Sequence, residues 1–354
     1  MALRLFEGFD YANATADLYS GIIGGSSATS ASTVGLSNTG QFGGKSLQIT
    51  TSDPSKASST ALATMYIPVF GNVVVAGAAL GLTSIATGGA DIGVTNGSVC
   101  HVFCRFILDQ LMVFSGDPVV GGYTLLGTVN SGLLSSGWAY IEIVATIDPV
   151  AGAVAVYCNG VNAITLTNIN TSCDGTGNIA GLALGAYDAS GVGFAARFDD
   201  VYALDSTGAA PYSGMLGPVR VVTRFPTANS SVALTPLSSS NWSQVCETTM
   251  DGDTSYNFSS TVGATDLFAA AGLTTTTSTV FAIKTKAAVR KDDAGHRAVA
   301  TTLTSGLSRV GGTPVALSPA YQYISDIFIS DPATSLMWTP INVSNSTFGY
   351  SVIS

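Results

Sequence analysis

Charge is what this 354-residue chain has least of. Only 10% of its residues are Asp, Glu, Lys or Arg, against roughly 25% in ordinary soluble domains, while 46% are hydrophobic and 40 are Gly. Ser, Thr, Asn and Gly must therefore cover the surface. Such an exterior suits a protein occupied by neighbours better than one living alone at high concentration, although a β-sandwich with Thr-rich faces has the same composition. Basic residues are scarcest of all: 13 of them against 22 acids give a net charge of −9, which excludes the clustered Lys and Arg that nucleic acid requires. The one dense group, Lys284, Lys286, Arg290 and Lys291, lies in a strand-like run closed by Asp292 and Asp293 and reads as a solvated strand face.

Other absences narrow the chemistry. Two histidines, His101 and His296, leave little material for a triad or a metal cluster. His101, in an apolar strand between cysteines, is expected to be packed, and His296, after Asp-Ala-Gly, to be exposed. Cys100, Cys104, Cys158, Cys173 and Cys246 form an odd set without a repeated C-x-x-C spacing, so neither a disulfide framework nor a zinc motif is written in the sequence. Cys100-His101 with Cys104 lacks the second pair that a metal half-site needs; thiols kept reduced in a cytoplasm are the expectation. No signal-length apolar core follows Met1, and no Sec-type export is expected. Residues 65–90 carry no charge, but Pro68 and five glycines cut them into strand-sized pieces, so membrane insertion is not expected.

What remains is β-structure. Trp138 to Asp148 alternates apolar and polar residues, 149–152 turns, and Ala153 to Cys158 returns antiparallel, with Asn159-Gly160 closing the next hairpin. Further strands are expected at 46–50, 63–69, 73–82, 99–108, 111–114, 179–184 and 194–204, with a Gly/Ser/Thr-rich loop over 21–40. Gly21 to Gly25 and Gly311-Gly312 precede strands rather than helices and read as turns, not phosphate loops. A second module begins with 218–225 and has strands at 279–290, 296–304 and 321–328, with a short helix over 264–272 and a last strand within 341–353. Strands about ten residues apart with turn residues between them mark a sandwich or jelly roll.

Several of these segments, in order, resemble elements of concanavalin-like (laminin-G-like) jelly rolls: Leu5-Phe6-Glu7-Gly8-Phe9-Asp10, Gly43-Gly44-Lys45-Ser46-Leu47, the Trp138 hairpin, and Phe198-Asp199-Asp200-Val201-Tyr202. With Gly217 to Thr227, Arg290 to Gly295 and Asp331-Pro332-Ala333-Thr334 followed by Trp338-Thr339, the chain resembles tailed-bacteriophage virion proteins that join such a jelly roll to a second β-domain. The resemblance implies an all-β protein with a jelly roll over 1–205, a linker over 206–217 and a smaller β-sandwich over 218–354. It also implies a virion component assembled in the host cytoplasm: a surface or tail-associated fibre, tail-tip or collar protein that contacts itself as a homo-oligomer, trimers being one form such proteins take, and other virion proteins.

Catalytic groups are not in evidence. Retaining glycoside hydrolysis needs two carboxylates facing one cleft, but Glu142 stands alone on its strand and the adjacent Asp199 and Asp200 should point to opposite faces. No Gly-x-Ser-x-Gly elbow joins a strand to a helix. The expectation is therefore no enzyme and no cofactor. Asp251 and Asp253, flanking Gly252, are the candidates for calcium, with an Asp-Gly turn capping backbone amides as the preferred reading. A sugar site would need an exposed aromatic platform. Of Trp138, Trp242 and Trp338, only Trp242 in Ser-Asn-Trp-Ser is loop-borne, which keeps a carbohydrate-binding adhesin as the alternative, beside a capsid decoration protein.

Overall fold

In a computed structural model, the chain is described for residues 2–354 except 13, 20–22, 29–31, 53–57, 68–70, 83–87, 108, 131–136, 249 and 275–277. The expected turn at Gly21 and parts of the 63–69 strand and of the uncharged 65–90 stretch lie outside these residues. Strand makes up 53% of the chain and helix 5%, so the protein is all-β. It divides into two compact units, Met1–Val222 and Thr223–Ser354.

The first unit is built, in chain order, from β1 (Leu3–Glu7), a single helical turn α1 (Thr15–Tyr19), β2 (Ile23–Ala28), β3 (Ser32–Ser37), β4 (Ser46–Thr51), β5 (Ser59–Tyr66) and β6 (Val73–Leu82). Then follow β7 (Gly88–Thr95), β8 (Cys100–Ile107), β9 (Gln110–Asp117), β10 (Gly121–Asn130) and β11 (Gly137–Thr146). The unit closes with β12 (Gly152–Cys158), β13 (Val161–Ile169), β14 (Gly181–Asp188) and β15 (Phe194–Asp205). Among the described residues one sheet has the order β13-β12-β11-β6-β15-β4-β3, with β1 also on β15, and the other β10-β9-β8-β7-β14-β5-β2. Every pairing between these strands is antiparallel, and the chain crosses repeatedly from one sheet to the other, the arrangement of a jelly roll.

Alternation explains the core. On β11, Ile141 and Ile143 point inward with Val154 and Val156 of β12, and Phe198 of β15 joins them. From the other sheet come Ile92 and Val94, Val102 and Phe106, and Leu182 and Leu184. The expected hairpin forms in the register Ile141↔Cys158 to Thr146↔Ala153. Asn159 and Gly160 both have positive φ, 50° and 80°, the geometry of a tight turn that matches strand twist.

Two expectations for this unit meet a different structure. The 21–40 stretch, expected as a loop, contributes β2 and β3, because Thr33, Val34 and Leu36 find ladder partners on β4 despite poor intrinsic strand propensity around them. The 206–217 segment, expected as a linker, lies within the first unit. Gly217 N–H donates to Glu142 at 2.9 Å, and Leu216 N–H to Tyr202 Oη at 3.1 Å.

The second unit contains β16 (Pro226–Ser231), β17 (Thr235–Pro236), β18 (Asn257–Phe258), β19 (Thr265–Ala270), β20 (Ile283–Val289) and β21 (Ala298–Ser305). It ends with β22 (Ser308–Gly311), β23 (Val315–Ala316), β24 (Gln322–Phe328), the helical turn α2 (Pro340–Asn345) and β25 (Thr347–Val352). A sheet β16-β19-β25-β21-β22 carries β23 on β21, and β20 pairs with β24 as a ribbon. Trp338, 3% exposed, packs with Leu303 of β21, Ile283 of β20 and Phe328 of β24, and its indole N–H donates to the Phe328 carbonyl at 2.9 Å. The helix expected over 264–272 is instead β19. Its Ala-rich sequence favours a helix, but pairing on both sides with β16 and β25 overrides that preference.

Ile141 is fully buried between the two sheets. Ile141→Ala should lower the unfolding free energy of the first unit by about 2–5 kcal/mol, read as a shifted urea midpoint at unchanged slope.

Candidate functional site

The two sequence segments that carry the jelly-roll resemblance meet in space. β1 pairs with β15 in the register Phe6↔Tyr202 and Glu7↔Val201, so Asp10, just past β1, approaches Asp199 and Asp200. The β15–β6 ladder is interrupted between Asp199 and Tyr202, and Asp200 adopts φ 49°. This irregularity breaks the strict alternation expected to send the two acids to opposite environments, and both are buried.

Each carboxylate serves a backbone amide. Asp199 Oδ2 accepts from Gln41 N at 2.9 Å, Asp199 Oδ1 from Asp200 N at 2.8 Å, Asp200 Oδ1 from Val221 N at 2.6 Å and Asp10 Oδ1 from Lys45 N at 2.8 Å. Gly44, at φ 80°, carries the chain past Asp10 where any Cβ would collide with Oδ1. Burial, with Asp200 close by, pushes the Asp199 carboxyl up to about 7; burial also pushes Asp200 up to about 6. Asp200 Oδ2 and Gln41 Oε1 are buried acceptors with no hydrogen-bond donor. Crowded carboxylates beside unsatisfied oxygens are the donor chemistry of a hard cation such as calcium, and Asp10, Gln41, Asp199 and Asp200 are the residues that could supply it.

Glu142, the solitary acid of β11, takes no part in this group. It is 1% exposed, accepts from Tyr202 Oη and Gly217 N, and faces no cleft.

A second polar feature lies on the opposite sheet, on the face turned away from the core. Asp91 of β7 and Arg105 of β8 are register partners, both at most 3% exposed, and form a two-point ion pair: Nε to Oδ1 at 2.8 Å and an Nη to Oδ2 at 2.7 Å. The guanidinium carbon is 3.7 Å from the Tyr187 ring centroid and 5.2–6.0 Å from those of Phe103, Phe114 and Tyr123. A planar cation stacked on aromatic faces and satisfied by a carboxylate fixes those rings as much as they fix it. The signal available in the sequence is a lone Asp and a lone Arg in adjacent strands otherwise almost uncharged.

The residues singled out from sequence lie elsewhere. Asp251 accepts from Ser255 N at 3.3 Å and Ser255 Oγ at 2.9 Å, as an Asp-Gly turn would. Asp253 Oδ1 instead accepts from Arg290 at 2.8 Å and from Tyr321 Oη at 2.8 Å, so the two carboxylates address different partners. Trp242 is half-buried in a 3-10 turn, Asn241–Gln244, and its backbone N–H donates to Asn229 at 2.8 Å. Trp138 is half-buried over Gly81, and Trp338 belongs to the core of the second unit. His296 is exposed beside Ser354, and His101 is fully buried. The cysteines are unpaired; Cys100, Cys104 and Cys158 are buried, Cys246 is half-buried and Cys173 is exposed.

Neither a protein-family model nor a curated protein sequence matches the chain. Among solved structures it is similar to an endo-β-1,4-glucuronan lyase from the fungus Trichoderma reesei, at 10% identity and a TM-score of 0.36 over 51% of this chain and 94% of the lyase. It is also similar to the carbohydrate-binding module CBM66 from Bacillus subtilis, at 14% identity and 0.33 over 49% and 94%. The CBM2 module of the evolved Dit of Lactobacillus casei BL23 phage J-1 matches at 11% identity and 0.29 over 41% and 68%. Likenesses of this size assign no ligand and no activity, and the jelly-roll description rests on the strand pairing given above.

Two measurements test the energetics of these groups. With Asp199 raised from 3.8 to about 7, the folded chain holds a proton that the unfolded chain has lost between those values. Stability is therefore greatest at the acidic end of that window and falls as pH rises through it. In chelator-treated protein the melting temperature of the first unit should drop from pH 5 to pH 8, and Asp199→Asn should flatten the drop; a flat or rising wild-type profile contradicts the assignment. Arg105→Met strands a buried Asp91 and should cost about 3–5 kcal/mol, much of it recovered in the Asp91→Asn/Arg105→Met double variant, as urea titration would show.

Proposed function

We propose that this chain is a non-catalytic structural protein of a tailed-phage particle, tail-associated or on the surface, which packs against copies of itself through the open edges of its first sandwich. The observation that carries this reading is the chemistry of β10 and β13. Among the described residues each ends its sheet, so one side of each strand has no ladder partner. Their sequences, GGYTLLGTVN and VNAITLTNI, contain no charged residue and no proline over ten and nine residues. Proteins that live alone blunt such edges with Lys, Pro or bulges, because an open edge recruits another strand. β10 and β13 each carry two ladder irregularities but neither a charge nor a proline, so most of the usual blunting is missing. Tyr123, Leu125 and Val161 are 41%, 51% and 65% exposed there, which adds apolar area to the unpaired amides. The virion setting is supported by the ordered resemblance from Phe6 to Thr339, and a role without turnover by the engagement of Glu142 and of Asp253 in internal bonds.

An edge-to-edge contact of this kind depends on backbone pairing and apolar burial rather than on ion pairs, so salt should not dissolve it. The purified chain should sediment as a closed homo-oligomer of the same mass in 0.1 and 1 M salt. Thr128→Lys with Thr165→Lys, on exposed positions of the two edges, should release folded monomers. Mass spectrometry of whole particles should find the chain. A wild-type monomer at micromolar concentration, absence from particles, or turnover of a polysaccharide would each overturn the reading.

A glycan-binding adhesin is the second reading, favoured by the partly exposed ring of Trp242 on a short turn. Its mark would be glycan-array binding that Trp242→Ala abolishes.

A further inference from the structure

His101 is far in sequence from the adjacent pair Cys173 and Asp174, and the three meet at one end of the second sheet. The ladder between β7 and β8 pairs Thr95 with Cys100 and Val94 with Val102, so His101 is the extra residue of a bulge and has no opposite number. Bulges re-aim side chains, and this one holds a fully buried imidazole against the 171–178 turn. His101 Nε2 lies 2.8 Å from the Asn178 carbonyl oxygen. A carbonyl only accepts, so Nε2 carries the hydrogen and Nδ1 presents its lone pair.

That lone pair faces two further donors. Cys173 Sγ is 3.4 Å from Nδ1 and Asp174 Oδ1 is 3.8 Å from it, and the three atoms all lie within 4.8 Å of one another. A tetrahedral zinc ion with ordinary bond lengths would separate its nitrogen and sulfur ligands by about 3.5 Å and its nitrogen and oxygen ligands by about 3.3 Å. The nitrogen–sulfur spacing matches its value and the nitrogen–oxygen spacing is about 0.5 Å longer, a difference that a small turn of the exposed Asp174 side chain would close. Asp174 is fixed by Asn96, whose side-chain N–H donates to Oδ2 at 2.7 Å, and by Thr176, whose N–H and hydroxyl each donate to Oδ1 at 2.8 Å. Ser172 Oγ is 3.1 Å from Oδ1 but only 2.6 Å from the Thr176 carbonyl, so its single hydrogen is committed to the carbonyl; Oδ1 then accepts only from Thr176, and the lone-pair site left for an ion is on Oδ2 beside Asn96. Cys173 N–H approaches Nδ1 at 3.3 Å, a long contact that a bond to metal would replace.

We propose that His101 Nδ1, Cys173 Sγ and the Asp174 carboxylate form a binding site for a thiophilic divalent cation of the zinc class, with water in the fourth position. The ligand set argues for zinc over calcium or magnesium, since a thiolate and an imidazole do not suit hard ions. The hydrogen bond from the far imidazole nitrogen to a backbone carbonyl is the partner that metal-bound histidines use to fix their tautomer. Cys173 and Asp174 are exposed, so the ion and its water have access. Binding takes the proton from the thiol into solvent and changes no oxidation state.

Cobalt(II) reports the site directly. The full chain, reduced with a phosphine and stripped with chelator, should bind one Co²⁺ with a thiolate-to-cobalt charge-transfer band and intense tetrahedral d–d bands, and one equivalent of Zn²⁺ should displace it. Cys173→Ser changes an exposed side chain and should fold with an unaltered melting temperature in chelator, yet lose the charge-transfer band. Cys246→Ser should keep it. Asp174→Asn should weaken Zn²⁺ binding at least tenfold in competition with a chromophoric chelator. No charge-transfer band at saturating Co²⁺, or a band that survives in Cys173→Ser, overturns the proposal.

Discussion

β15 has to serve three partners, and much of the first unit follows from how it does so. Along one edge it keeps β6 for almost its whole length; along the other it pairs with β4 through Phe194 to Phe198 and then with β1 through Val201 to Leu204. Between these partners its edge would be left with unpaired amides, and so would the chain ends arriving there. Asp199 and Asp200 sit at the changeover and accept from Gln41, Val221 and, within the strand, Asp200 itself. Buried backbone donors need an acceptor, and a carboxylate is the shortest side chain that can satisfy several at once. The cost is the crowding that drives both acids toward neutrality.

The same device recurs and accounts for the scarcity of surface charge. Among the described residues eleven acidic side chains are buried: Glu7, Asp17, Asp91, Asp117, Glu142, Asp188, Asp199, Asp200, Asp205, Asp266 and Asp331, half of the 22 in the chain. Asp117 accepts from Cys100, Val119 and Val120, and Asp188 from Ser190, Gly191 and Gly193. Asp266 accepts from Ala233 and Leu234. These acids close turns from the inside. The exterior is consequently poorer in charge than the composition alone implies, and apolar strand edges are left without the repulsion that keeps ordinary proteins apart.

The strongly periodic parts of this architecture were legible in the sequence. The β11–β12 hairpin, the Asn159-Gly160 turn that leads on to β13 and the inward set Ile141, Ile143 and Phe198 depend on alternation and turn chemistry, both local properties. β2, β3 and β19 were not legible, because Gly-rich and Ala-rich segments become strands only when neighbours supply the ladder. Asp199 and Asp200 were visible as a motif but not as a cluster, since the ladder irregularity that gathers them cancels the alternation from which their directions were read. The partnership of His101 with Cys173 spans 72 residues, and no spacing rule reaches that far.

A strand edge without charge does not discriminate: its row of amides and carbonyls offers the same welcome to an identical subunit, to a fragment or to a partly folded nascent chain. Under the proposed self-assembly, fidelity for β10 and β13 would have to come from timing. Capture by the correct neighbour would then have to outpace random encounter, and the concentration of unassembled chain would set which of the two wins.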